Sequence, residues 1–116
     1  MLQKKLILEC ESKIDLIDTT KITHITVNSF HSEINLIDNS KFYSNKSLNS
    51  FESSLPETFI RVNRNSIINI GYIENINKVT RIIQIEKGIV FCVSNRQMRS
   101  LIKRLKQLSV RSSQNM

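Results

Sequence analysis

The side chains best equipped for chemistry cluster in one short stretch, Phe59 to Tyr72, which reads FIRVNRNSIINIGY. Asn63, Arg64, Asn65 and Ser66 stand side by side there. Ile60 and Val62 alternate with Arg61 and Asn63 before them, and Ile67, Ile68 and Ile70 follow. Such a pattern describes a strand that drives hydrogen-bonding side chains to the surface and then returns into a core. Arg, Asn and Ser can hydrogen-bond base edges and phosphates, and in this setting none is a natural nucleophile or metal ligand. The stretch points to binding rather than catalysis.

A second polar group opens the last predicted helix. Ser94-Asn95-Arg96-Gln97 fits a capping box, with Ser94 as N-cap and Gln97 three residues on. Met98, Leu101, Ile102, Leu105 and Leu108 then form an apolar stripe, and Arg96, Arg99, Lys103 and Lys106 a basic one. A solvated helix face is the ordinary meaning of such a stripe. Here it begins at the helix N-terminus, where cations oppose the macrodipole, so Arg96 and Arg99 are mildly costly to folding. That cost is rational if they meet phosphates or bases. Of the two histidines, His24 falls inside a predicted strand and reads as structural. His31 sits in Asn28–Glu33 (NSFHSE), a polar loop at a predicted hairpin tip where contacts commonly reside.

The elements that must position these groups are mostly strands. Lys4–Glu11 and Lys13–Asp18 read as two short strands, and Asp18–Lys21 as a turn or single helical turn opened by capping types. Ile22–Asn28, Ile34–Ile37 and Lys41–Ser44 continue the β pattern. Ser47–Leu55 is a short helix capped by Ser47, with Leu48, Phe51 and Leu55 on one face and Pro56 as its stop. It should clamp a sheet. Tyr72–Val79 and Thr80–Glu86 read as strands, and Lys87-Gly88 as a turn leading to a buried strand, Ile89–Val93. Short strands without a long βαβ crossover predict a mostly β fold with one clamp helix and one C-terminal helix, and argue against an α/β enzyme.

A chain of 116 residues with two Gly and one Pro is one domain with a modest core. The domain is expected over 1–108, followed by a polar tail at 109–116. With no apolar run longer than five residues (Ile89–Val93), no transmembrane helix or signal peptide is expected, and the chain reads as cytoplasmic. Cys10 and Cys92 are expected as buried free thiols rather than a disulfide. Net charge is +7, but residues 1–58 hold 6 Lys/Arg against 8 Asp/Glu, and residues 59–116 hold 11 against 2. A basic half implies an anionic partner, nucleic acid ahead of a membrane surface. Gly71 and Gly88 cannot form a phosphate loop, and Cys10, His24, His31 and Cys92 lack metal-ligand spacing. No cofactor, metal or enzymatic activity is expected.

Taken together, Phe59, Arg61, Arg64, Ile68 and Asn69, then Tyr72-Ile73, then Val93-Ser94 and Arg96, resemble the signature of the LytTR DNA-binding domain family. Leu6 to Leu105 follow the family's order of elements. Asn63 and Asn65 stand where the family has His and Ser, both still hydrogen-bonding. Ser66 stands where it has an aromatic ring. The resemblance implies an elongated β fold forming the output half of bacterial two-component response regulators, including quorum-sensing types. Its loops would enter successive major grooves of double-stranded DNA at promoter direct repeats.

By position, the resemblance implies base contacts from His31, Arg64 and Arg96. It implies phosphate contacts from Arg61, Asn63, Asn65, Ser94, Asn95, Arg99 and Lys103. RNA polymerase or a second copy on the DNA would be further partners; a membrane would not. The chain is expected to be either the excised output half of a longer regulator or a naturally short one. Two rival readings remain: a protein-interaction module antagonising another regulator, and an RNA-binding β domain. Few aromatics, with no stacking cluster, weigh against the latter.

Overall fold

The structure, a computed structural model, describes residues 4–109, so all of the expected tail beyond Ser109 lies outside the described residues. Ten strands and two helices build three layers. The middle layer is a five-stranded antiparallel sheet. Its order is β5 (Lys41–Ser44), β4 (Ser32–Leu36), β3 (Ile22–Val27), β7 (Ser66–Asn69) and β6 (Phe59–Asn63). On one side lie helix α1 (Leu48–Ser54) and a hairpin of β1 (Lys5–Glu9) and β2 (Ile14–Asp18). On the other lie a three-stranded sheet of β8 (Ile73–Asn77), β9 (Ile82–Ile85) and β10 (Val90–Cys92), and helix α2 (Asn95–Leu108). The molecule is elongated, 52 × 33 × 25 Å. The mostly β fold with one clamp helix and one C-terminal helix is therefore as expected.

The two-residue period of a strand explains why the middle layer holds two cores. In the β6–β7 hairpin, Phe59 and Ile67 face one cluster, with Leu6, Leu8, Ile17, Ile25, Ile34 and Phe51. Ile60, Val62 and Ile68 face the other, with Ile83, Ile85, Phe91, Met98 and Leu101. Each fully buried aliphatic side chain contributes about 1.5–3 kcal/mol, so both faces are strongly determined. On the outer side of the β1–β2 hairpin, Ile7, Ile14 and Leu16 are exposed.

Caps end the helices where the sequence places them. Ser47 Oγ accepts from Ser50 N–H, and Ser94 Oγ from Gln97 N–H. The Ser94 N–H does not bond Gln97 in return; it donates to the Val62 carbonyl at 3.3 Å and ties the start of α2 to β6. Asp18 Oδ1 accepts from Thr20 N–H and opens a 3-10 turn at Thr19–Lys21. At the β9–β10 turn Lys87 and Gly88 both have positive φ, 69° and 76°, the backbone a tight hairpin requires.

His24 is buried, 2.8 Å from the Thr23 hydroxyl and edge-on to Phe91. Burial lowers its pKa to about 4 and keeps the ring neutral, which suits an interior position. Three expectations are corrected. Both cysteines are free thiols, but exposed: Cys10 lies beyond the end of β1, and Cys92 points away from the core on β10. β10 itself buries Phe91 alone of its three residues. Val79 and Thr80 leave the sheet for a turn, because Asn77 Oδ1 accepts from both of their N–H groups.

Candidate nucleic-acid interface

Antiparallel pairing sends the β3–β4, β6–β7 and β8–β9 turns, and the start of α2, to one end of the molecule. A chain of hydrogen bonds locks them together. Asn28 N–H donates to the His31 carbonyl at 3.1 Å and closes the tip loop. Val27 N–H donates to Asn65 O at 3.0 Å, joining that hairpin to the β6–β7 turn. Asn63 Nδ2 donates to the Cys92 carbonyl at 2.7 Å, which carries the connection on to β10. Val93 N–H donates to Arg81 O at 2.9 Å, and the Arg81 guanidinium to Asn95 Oδ1 at 2.7 Å. The end is thus a braced row rather than a set of independent loops.

Within the row, some polar side chains build the surface and others stand out from it. Arg61 is a builder. Its Nε donates to the Asn63 carbonyl at 3.0 Å, one terminal nitrogen to Asn49 Oδ1 and Glu52 Oε1, and the other to the Arg64 carbonyl at 2.8 Å. Asn63 is another, because its Oδ1 also accepts from Asn65 N–H at 2.9 Å. Ser94 is occupied as a cap and Asn95 by Arg81. Arg64, Asn65, Arg96, Arg99 and Lys103 are exposed, and among the described residues no side-chain hydrogen bond or ion pair engages them. Lys103 lies two turns along α2 from Arg96, roughly 10 Å at 1.5 Å per residue.

The three expected base contacts are placed unevenly. His31 and Arg64 line one open cavity of about 330 Å³, together with Phe30 and Lys46. The His31 ring is held edge-on to Tyr43, at 5.1 Å between centroids and 86° between planes. Arg96 belongs to the same end through the Asn63–Cys92 and Ser94–Val62 bonds, but not to that cavity. Lys46, Lys78 and Arg81 join the same end and were missed in the sequence. The signal for the last two was Asn77, whose side chain makes the turn that presents them. Ser66, in the aromatic position of the resemblance, is buried at the start of β7 opposite Thr26 and Asn63.

The chain matches the family model of the LytTr DNA-binding domain over residues 12–106. It belongs to the LytTR family. No curated protein matches its sequence. A solved structure, the LytTr DNA-binding domain of a response regulator from Bacillus cereus, superposes with a TM-score of 0.73 at 21% identity. The match covers 88% of this chain and 96% of that one. At that identity it establishes the fold, and the family match carries the function: this is a LytTR DNA-binding domain. Among the described residues no helix is long and apolar enough to cross a membrane.

Proposed function

We propose that this LytTR domain binds double-stranded promoter DNA sequence-specifically, its braced end entering major grooves at two direct repeats. The observation that carries this is the convergence of His31, Arg64 and Arg96 on one end, where the β3–β4, β6–β7 and β8–β9 turns and the first turn of α2 contain no Asp or Glu. Arg64 and Arg96 are the base readers, since a guanidinium matches the O6/N7 edge of guanine bidentately, and His31 is the third contact. Exposed Asn65, Arg99 and Lys103, with Lys46 and Lys78, hold phosphates and set register, and Arg81, bonded to Asn95 through one terminal nitrogen, braces the turn beside them. Arg61, Asn63, Ser94 and Asn95, expected on phosphates, act by shaping the turns, because their polar groups are already engaged within the protein. The domain then serves as the cytoplasmic output half of a two-component regulator, including quorum-sensing circuits, with RNA polymerase or a second copy beside it on the DNA.

Selection of bound sequences from a random duplex pool at near-physiological salt tests this. Two spaced direct repeats with fixed guanines should emerge. Recovery of no preferred sequence, or a preference for single-stranded RNA, would refute it.

A further inference from the structure

One side chain on the tip loop is used neither by the fold nor by the polar contacts proposed above. Phe30 is 89% exposed, whereas Phe51, Phe59 and Phe91 are buried. The Asn28–His31 bond makes Ser29 and Phe30 the apex of the hairpin, so the ring projects beyond the sheet. Turn apices ordinarily hold Gly, Asn or Asp, whose backbone freedom and short polar side chains suit the bend. A phenyl ring contributes neither, and in water it gains nothing by standing there.

Its surroundings say what could cover it. Phe30 shares the cavity with His31 and with Lys46 and Arg64, two cations suited to a polyanion. The apolar group that duplex DNA displays in the major groove is the 5-methyl of thymine. We propose that Phe30 reads a thymine by packing its ring on that methyl, beside the base contacted by His31. The proposal rests on the reading that the tip loop enters a major groove. It adds a specificity determinant that polar chemistry cannot supply, because thymine and uracil share the same hydrogen-bonding edge.

The experiment replaces each thymine of the selected duplex by deoxyuridine and measures affinity for the parent chain, Phe30→Ala and Val90→Ala. Val90 is an exposed apolar residue on β10, away from the tip, and serves as the control. One thymine position should lose about fourfold in affinity in the parent, the worth of one buried methyl. Phe30→Ala should bind the thymine duplex about fourfold more weakly and no longer distinguish uracil there; Val90→Ala should behave as the parent. If Phe30→Ala retains the thymine preference, or loses affinity for thymine and uracil duplexes alike at every position, the methyl reading is overturned while DNA reading stands. If the parent itself selects no duplex, the underlying reading falls with it.

Discussion

The two ends of the central sheet carry loops of opposite character. At the β3–β4 and β6–β7 end, the β6–β7 and β8–β9 turns, the loop before α1 and the first turn of α2 hold Lys46, Arg64, Lys78, Arg81 and Arg96 with no acid among them. Glu9 and Glu11 stand off to the side on the β1–β2 hairpin. At the other end the loops hold Asp18, Asp38, Glu57 and Glu86 against Lys21 and Lys87. The use made of these groups differs more than their sign. At the acidic end Asp18, Asp38 and Lys87 are engaged within the protein. Asp18 and Asp38 accept from Thr20 and Ser40, which lowers both carboxyl pKa values. Tyr72 donates to the Thr20 carbonyl, and Lys87 to the Ile37 carbonyl and Asn39. Asn69 donates to Ile22 O at 2.9 Å and accepts from Gly71 N–H. That end joins the layers. The basic end uses Arg61 and Asn63 for the same task and leaves Arg64 and Arg96 facing outward. A fold can therefore separate the residues that hold it from those that it presents, even when both are Arg in one short stretch.

The sharpest way to break this comparison is to remove both presented arginines. Arg64→Ala and Arg96→Ala should each cost about 1–3 kcal/mol of discrimination, and together should abolish preference for the selected duplex with Tm unchanged. Unaltered selectivity in folded proteins would mean that the basic end is not the reading end. The next largest effect belongs to the interior. With a folded pKa of about 4 against an ordinary 6.5, His24 takes up its proton more readily in the unfolded chain. Stability should therefore fall as pH drops from 6.5 to 4, by roughly 3 kcal/mol at most, and be regained on raising pH. Urea unfolding across that range measures it, and a flat profile would deny His24 its neutral burial.

Arg61→Ala comes third. Losing its bonds to the turn and to α1 should cost about 1–2 kcal/mol of stability, partly screened because Glu52 is half exposed. The salt dependence of DNA binding should keep its slope; a slope reduced by about one would make Arg61 a phosphate contact after all. Smallest is Lys87→Ala at the acidic end. It should cost under about 1 kcal/mol and leave DNA affinity unchanged.

Local grammar accounts for what the sequence made legible. Ser47 with Pro56, Ser94, and Asp18 mark helix and turn starts by side-chain capping, which involves neighbours alone. The tip loop and the 63–66 cluster follow from alternation on either side of them. What stayed hidden depends on distant partners. Arg61 and Arg64 are indistinguishable by type, and Glu52 and Asn49 on α1 are what separate them. Likewise Arg104, unremarked in the helix pattern, donates to the Glu57 and Phe59 carbonyls and pins α2 to β6, whereas Arg99 and Lys103 beside it do not. The exposure of the cysteines is not legible because apolar neighbours in sequence say neither which face of a strand a residue occupies, as at Cys92, nor where the strand stops, as at Cys10.

The β6–β7 hairpin, with a core on each face, also guards against its own misassembly. In a sheet with one wet face, a one-residue slip in pairing exposes one apolar set and leaves the alternative merely poor. Here a slip would point Ile60, Val62 and Ile68 at the layer shaped for Phe59 and Ile67, and the reverse, so both interiors would reject the same error at once. The turn that carries Arg64 is thereby delivered in a single phase relative to the sheet. For a surface that must match a fixed helical repeat, correct phase matters as much as correct composition.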